Sequence, residues 1–197
     1  VFESGKRYGF KGGSGCCKST LLSMISLIQK SDGGEILFND ERVDILSSTK
    51  KSEIIRNHIG IVFQDSNLLS GLTILDNIVL VSICEKTGEK ADIYKRARDL
   101  MNELNISKLA DSYPLVVSGG ERQRAGIIRA MINNPEILIC DEPISSLDED
   151  NAKIIIDFLD DYCHKYNKLV ILSCHNKEFD HIADQVIQMK GWGANNV

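Results

Sequence analysis

One segment constrains the fold more than any other: the nine residues from Gly12 to Thr20, with the sequence GGSGCCKST. A short apolar strand is predicted before it at Arg7–Phe10, and a helix is predicted after it from Ser19 to about Ile28. Glycines let a backbone wrap closely around a phosphate so that its N–H groups converge. A helix N-terminus adds further N–H donors and the positive end of the helix dipole. This order of strand, loop and helix predicts a phosphate-binding loop in an α/β fold.

Within the loop, we expect Lys18 to reach the β- and γ-phosphates of a nucleotide and the Ser19 hydroxyl to coordinate Mg²⁺. Cys17 stands where the pattern G-x-x-x-x-G-K-[ST] has glycine, and Lys11 closes a strand that would ordinarily stay apolar to its end. Either departure is compatible with a weakened site, a compensated site or a sequence error. A glycine-rich turn with a helix cap is the simpler alternative. The candidate nucleotide-binding residues of the loop are Gly12, Gly13, Ser14, Gly15, Cys16, Cys17, Lys18, Ser19 and Thr20.

Short apolar runs alternate with longer amphipathic ones along the chain, which favours α/β layering with a mostly parallel sheet. Strands are predicted at Arg7–Phe10, Glu35–Phe38, Ile59–Phe63, Ile137–Cys140, Leu169–Ser173 and Gln185–Met189. Helices are predicted to begin near Ser19, Ser48, Ile74, Asp92, Gly119 and Glu149. Residues 73–116 carry no strand signal, so we expect one domain, 1–197, whose core (about 1–72 and 117–197) receives an inserted helical subdomain.

Length and charge narrow the function classes. The 197 residues suffice for one domain, and the formal net charge of −5 gives no basic field to attract nucleic acid. The longest nearly uninterrupted apolar run, Ile78 to Cys84, is too short to cross a membrane, so another polypeptide would supply any span. The six cysteines show no C-x-x-C pair, which favours reduced thiols in a cytosolic protein.

Two acids follow a buried strand: Ile137–Cys140 leads directly into Asp141 and Glu142. The carboxyl ends of parallel strands are where open α/β sheets bind ligands. We therefore expect Asp141 to hold Mg²⁺ and Glu142 to polarise a water molecule that attacks the γ-phosphate. A solvated acidic turn is the alternative, and it loses weight because the same chain carries the phosphate loop.

A second candidate anion-binding corner is the turn Ser118-Gly119-Gly120-Glu121, which precedes a helix. Alone, such a turn is more often a helix N-cap. Gln64 and His175 each lie just after an apolar run, where a single Gln or His is usually a structural or solvent contact. The Ser118–Glu121 turn, Gln64 and His175 are candidate site residues because they occur in the same chain as the phosphate loop and the two acids.

Taken in order, these segments resemble the ATP-binding-cassette (ABC) ATPases of membrane transporters over nearly the whole chain. GGSGCCKST resembles Walker A, Gln64 the Q-loop glutamine, VSGGE (Val117–Glu121) the signature motif and ILICDEP Walker B. Ser145 to Asp148 resembles the D-loop, and His175 the switch histidine. The residues around these motifs are most similar to those of the subgroup serving lipoprotein release, macrolide export and bacteriocin export. However, DEPISSLD departs from that subgroup's usual DEPTGNLD.

The resemblance implies a two-lobed ATPase that dimerises head to tail, a homodimer being the expected case. ATP and Mg²⁺ would lie between the Walker A loop of one copy and Ser118–Gly120 of the other. Gln64 would sense Mg²⁺ and the γ-phosphate, His175 would contact the γ-phosphate, and Asp148 would link the two sites. Closure on ATP would drive a separate transmembrane permease. The chain itself would be cytoplasmic and peripheral on the inner face of the cell membrane.

Two alternatives to a transporter ATPase remain. A degenerate subunit with weak or no hydrolysis would fit Cys17 and Lys11. An ABC-type ATPase of DNA repair or translation would need a long coiled coil or a tandem cassette, but Gln64 and Ser118 are only 54 positions apart and no sustained heptad appears. The family's adenine-stacking aromatic residue and first strands ordinarily precede Walker A. We therefore expect N-terminal strands to be missing from this sequence.

Overall fold

The computed structural model describes residues 1–13, 15–85, 88–145, 147–174 and 183–189. The strands are β1 (Arg7–Lys11), β2 (Leu37–Phe38), β3 (Glu41–Arg42), β4 (Ile59–Val62), β5 (Ile137–Cys140), β6 (Leu169–Cys174) and β7 (Gln185–Gln188). The α-helices are α1 (Lys18–Ile25), α2 (Ser48–His58), α3 (Ile74–Glu85), α4 (Lys90–Glu103), α5 (Gly119–Met131) and α6 (Glu149–Tyr166). Two short 3-10 helices, Ser107–Leu109 and Pro114–Val116, lie between α4 and α5.

Five strands form one parallel sheet in the order β4-β5-β6-β1-β7, and β2 and β3 form a separate antiparallel pair. The strands β5, β6 and β1 are neighbours, so the segments that follow them emerge along one edge of the sheet. In an open parallel sheet that edge is the usual ligand site. The predicted α/β fold with a mostly parallel sheet is confirmed, and the topology brings the phosphate loop and the two acids to the same edge.

Apolar side chains cover both faces of the central strands β1, β5 and β6, as buried parallel strands require. Successive residues of a strand point to opposite faces, so each strand contributes to two layers. One layer contains Tyr8, Phe10, Ile139 and Ile171 from the strands together with Leu22 of α1. The other is larger and contains Leu138, Val170 and Leu172 from the strands with Ile78 of α3, Ile128 of α5 and Ile155 of α6.

Between β4 and α5 an irregular stretch leads into α3, α4 and two 3-10 helices, and the buried amide of Asn77 anchors the first turn of α3. The side-chain oxygen of Asn77 accepts from the Leu69 N–H at 2.7 Å. Its side-chain nitrogen donates to the carbonyls of Leu69, Leu72 and Thr73 at 3.0, 3.2 and 2.9 Å. These bonds fix the chain that leads from Gln64 into α3. The division into a core and a helical subdomain stays a prediction.

Several sequence-based boundaries differ from the structure. Strand β1 continues one residue further than predicted, to Lys11, and β4 and β7 each end one residue earlier, at Val62 and Gln188. Helix α1 ends at Ile25, not near Ile28, and Leu27 adopts a left-handed backbone with φ 63°. The strand predicted at Glu35–Phe38 reduces to Leu37–Phe38, and Glu35 instead pairs with Arg42 at 2.7 Å. Strand β6 continues one residue beyond Ser173. Among the described helices, none combines the length and apolar character needed to cross a bilayer.

Candidate nucleotide-binding site

The phosphate loop closes around the side chain of Lys18, the first residue of α1. Its ammonium group donates to the Gly12 carbonyl at 2.8 Å and to the Gly13 carbonyl at 3.3 Å, and the residue is 5% exposed. Gly12 must be glycine, because a Cβ there would lie 2.5 Å from Cys16 Sγ and 2.9 Å from the Met189 carbonyl oxygen. A Cβ at Gly13 would meet nothing within 4 Å. The loop is therefore closely packed at Gly12 and open at Gly13.

Cys17 is the N-cap of α1 and lies in the left-handed region, with φ 64° and ψ 28°. Glycine adopts this conformation without penalty, whereas other residues are strained in it. The thiol is exposed and lies 3.8 Å from the Gly15 carbonyl oxygen, and it makes no side-chain cap bond to the helix. The loop therefore keeps the backbone that the glycine of the pattern would give, with a side chain added.

The two acids after β5 are held by a buried hydroxyl that the sequence analysis missed. Ser173 donates to Asp141 Oδ1 at 2.6 Å and accepts the N–H of Glu142 at 2.9 Å. Glu142 has a left-handed backbone with φ 48°, an uncommon conformation for a non-glycine residue. The available signal for Ser173 was a polar residue inside the apolar run LVILSC of β6.

Glu142 is the point where three segments distant in sequence meet. Its Oε1 lies 3.8 Å from Lys18 Nζ, and the two side chains are 11% and 4% exposed. Its Oε2 accepts a hydrogen bond from Gln64 Nε2 at 3.3 Å. The structure thus brings Lys18 of the loop, Gln64 and the two acids after β5 close together. Loss of any one of these side chains leaves its neighbours in a partly desolvated, charged environment.

The functional groups at this site fit a magnesium–nucleotide complex. A buried ammonium, a glycine loop and a helix N-terminus suit phosphate oxygens. The exposed Ser19 hydroxyl and the Asp141 carboxylate are oxygen donors, the ligand type that Mg²⁺ prefers. Thr20 lies in the first turn of α1, within the same strand–loop–helix unit.

The second candidate corner is a helix cap with its own internal partner. Ser118 caps α5, and its hydroxyl accepts the Glu121 N–H at 3.3 Å. In return, Glu121 Oε2 accepts the Ser118 N–H at 2.7 Å and the Ser118 hydroxyl at 2.8 Å. These bonds lower the pKa of the Glu121 carboxyl, the backbone N–H contributing most. Gly119 and Gly120 form the first turn behind this capping box.

Asp148 caps α6 in a similar way: its Oδ1 accepts the Asn151 N–H at 2.9 Å and its Oδ2 accepts from Asn151 Nδ2 at 2.7 Å. The hydrogen bonds lower the pKa of Asp148, the bond from the Asn151 N–H first. Three predicted residues, Ser14, Ser146 of the D-loop and His175, lie outside the described residues.

A sequence model described as "ABC transporter" matches residues 1–145, well over half of the chain. The chain belongs to the ABC transporter family. The predicted family is therefore confirmed. The proposed export subgroup stays a prediction.

Curated relatives of this ABC transporter chain cover nearly all of it. The methionine import ATP-binding protein MetN 1 of Shouchella clausii (strain KSM-K16) is 38% identical over 187 residues, 94% of this chain and 54% of that protein. An uncharacterized ABC transporter ATP-binding protein of Mycobacterium tuberculosis (strain ATCC 25618 / H37Rv) is 35% identical over 191 residues, 96% of this chain and 76% of that protein. The chain thus spans about half the length of the methionine-import relatives that it matches.

Solved ABC cassettes share the fold. The ATP-binding cassette MJ0796, in a dimeric post-hydrolysis state bound to ADP and Pi, superposes with a TM-score of 0.91 at 30% identity over 96% of this chain and 83% of that chain. CbiO1 from Clostridium perfringens, part of the ABC transporter complex cbiONQ, gives a TM-score of 0.84 at 28% identity over 96% of this chain and 75% of that chain.

Proposed function

We propose that this ABC transporter chain binds Mg-ATP between two copies of itself, hydrolyses it, and drives a separate membrane permease. The observation that carries the proposal is the convergence on Glu142, whose two oxygens contact Lys18 at 3.8 Å and Gln64 at 3.3 Å. A lysine for phosphate charge, a carboxylate for proton acceptance and an amide for orientation are the groups that hydrolysis of a γ-phosphate needs.

In the proposed mechanism, the N–H groups of the loop and Lys18 bind and orient the phosphates. A bound phosphate would compete with Glu142 for the Lys18 ammonium, leaving the carboxylate to accept a proton from the attacking water. Gln64, already hydrogen-bonded to Glu142, would orient that water, and His175 would contact the γ-phosphate. Ser173 keeps Asp141 and the backbone of Glu142 in place. Mg²⁺ at Ser19, Asp141 and Gln64 would neutralise charge on the phosphate oxygens.

The second half of the proposed site comes from another copy of the chain. In this arrangement the Ser118–Glu121 corner of one copy faces the phosphate loop of the other, and Asp148 lies where the two sites communicate. The similarity to MJ0796, described as a dimeric cassette bound to ADP and Pi, supports the pairing. The methionine-import relatives support transport as the process that ATP drives.

A groove beside Gln64 supports a permease as the membrane partner. It has a volume of about 410 Å³ and is lined by residues after β4, of the segment before α5 and of the first turns of α5, among them Gln64, Leu68, Pro114, Leu115 and Arg122. Exposed apolar side chains adjoin it: Leu69 is 52% exposed, Leu115 82% and Val116 76%. A permease segment seated here would place the chain peripherally on the cytoplasmic face of the membrane.

Glu142→Gln tests the proposal, because glutamine keeps the shape of the side chain and its bond to Gln64 but cannot act as a base. We expect ATP turnover to fall by at least about a hundredfold while ATP still binds. ATP-dependent dimers should then accumulate in sedimentation experiments. Glu103→Gln, the same change at an exposed position on α4, is the control. Unchanged turnover in the Glu142 variant would remove this residue from the mechanism.

A further inference from the structure

The two turns assigned to the dimer-facing surface touch each other within one chain. The first is the Ser118–Glu121 corner at the start of α5, and the second is the Asp148 cap at the start of α6. A Cβ added to Gly120 would lie 3.3 Å from Leu147 Cδ2 and 3.4 Å from Asn151 Cγ. The Leu147 side chain would therefore have to move by a few tenths of an ångström. The absence of a side chain at Gly120 lets the Ser118–Glu121 corner pack directly against the Asp148 cap.

Polar contacts extend this packing into a chain of hydrogen bonds. Arg124, in the second turn of α5 and 6% exposed, donates from Nη1 to Asn151 Oδ1. The Asn151 amide then donates to Asp148 Oδ2 at 2.7 Å, and the Asn151 N–H donates to Asp148 Oδ1 at 2.9 Å. Asn151 thus accepts one hydrogen bond from Arg124 of α5 and donates two to Asp148, the N-cap of α6.

This link is an unusual way to hold two helices together. Burial lowers the pKa of Arg124, and the charges of Glu121 and Asp148 only partly oppose that effect. Its Nε has no hydrogen-bond partner among the residues that the structure describes. A buried guanidinium that contacts a neutral amide contributes little net stability, because the cost of its desolvation is high. Its clearest effect is geometric, since a planar guanidinium fixes the direction of its acceptor.

We propose that Arg124 and Asn151 are positioning residues that hold the Ser118–Glu121 corner and the Asp148 cap as one unit facing the second copy. This inference rests on the proposed function. Neither side chain contacts the nucleotide of its own copy in this arrangement. Their removal should spare ATP binding by a single chain and impair closure of the ATP-bound pair.

The test separates binding from closure. Asn151→Leu keeps the branched shape of the side chain and removes its hydrogen bonds to Arg124 and Asp148, while the backbone N–H bond to Asp148 stays. Lys153→Leu, two residues further along α6 and exposed, is the matched control. In dilute protein, binding of a fluorescent ATP analogue should change by at most about twofold. In a Glu142→Gln background, the dissociation constant of the ATP-dependent dimer should rise about tenfold. In the parent background, kcat should fall about tenfold at a nearly constant KM.

A second variant keeps the inference falsifiable if the first affects folding. Arg124→Met retains the aliphatic stem, and the double variant Arg124→Met/Asn151→Leu should weaken the dimer no more than either single change, because both act through one link. Additive losses, or an unchanged dimer in Asn151→Leu, would overturn the inference while the parent still dimerises. If the parent chain itself forms no ATP-dependent dimer, the proposed function fails, and this inference fails with it.

Discussion

The helix N-termini at the two candidate phosphate corners are built in opposite ways. At α1 the cap is Cys17, which has a left-handed backbone and makes no side-chain bond to the helix. At α5 the cap is Ser118, which shares a complete capping box with Glu121. In the proposed dimer both helices would present their positive end to phosphate, yet the second corner already has a carboxylate of its own chain hydrogen-bonded to it.

This difference assigns the corners different tasks. The α1 corner has a buried lysine beside it and is suited to bind phosphate alone. A phosphate reaching the α5 corner must share the Ser118 hydroxyl with Glu121 or displace that carboxylate, which opposes anion binding by α5 in the absence of other contacts. The α5 corner should therefore act late, when a second chain already presents its nucleotide.

The largest expected effect separates the two corners by substitution. Lys18→Ala removes the buried ammonium and should weaken binding of an ATP analogue to the single chain by about a hundredfold. Ser118→Arg should leave that binding within about twofold and prevent ATP-dependent dimers, because a bulky cation then occupies the interface. Calorimetric titration at low protein concentration measures the first effect, and sedimentation with ATP measures the second.

Mixing the two variants gives the matched control. In a heterodimer of Lys18→Ala and Ser118→Arg chains, one composite site keeps both intact residues and the other carries both changes. Nucleotide-driven association should recover in part relative to either variant alone. Dimerisation of each single variant as strong as that of the parent would refute the head-to-tail arrangement.

An intermediate effect is expected at Cys17. A non-glycine residue held in the left-handed region costs about 1–3 kcal/mol. We expect the Cys17 side chain to crowd the approach of the β-phosphate, so that the strain of the loop increases when nucleotide binds. Cys17→Gly should therefore tighten ATP binding about tenfold and raise turnover. Cys84→Ser, a change at an exposed thiol on α3, controls for general thiol effects. Equal affinities of the parent and the Cys17→Gly variant would show that the loop accommodates the side chain, and Cys17 would no longer support the degenerate-subunit alternative.

What the sequence predicted well was local. The loop GGSGCCKST and the run ILICDEP each carry their strand, turn and chemical groups within about a dozen residues, and periodicity located the helices. By contrast, the end of α1 was wrong, because the apolar pattern continues to Ile28 and no glycine marks the left-handed turn at Leu27. Ser173 and the contact between Arg124 and Asn151 depend on register and helix packing between distant segments. No local pattern encodes those distances.

The smallest expected effect concerns the stability of the capping box at α5. Hydrogen bonds from Ser118 lower the pKa of Glu121 below its ordinary value of 4.5 in the folded chain. The carboxylate therefore stabilises the fold above pH 4.5, and this contribution is lost as the pH falls through the folded-state pKa. Near neutral pH, Glu121→Ala should lower the melting temperature by about 2 °C, and the difference from the parent should shrink as the pH is lowered below 4.5 and through the folded-state pKa. Thermal melts of Glu103→Ala, a change at an exposed acid outside any capping box, should show no comparable pH-dependent difference.

The same Glu121 variant lacks the carboxylate that competes for Ser118, so its ATP-dependent dimer should be as tight as that of the parent or tighter. A weaker dimer would mean that the capping box assists the second chain's phosphate, and the two corners would then differ less than their hydrogen bonds indicate.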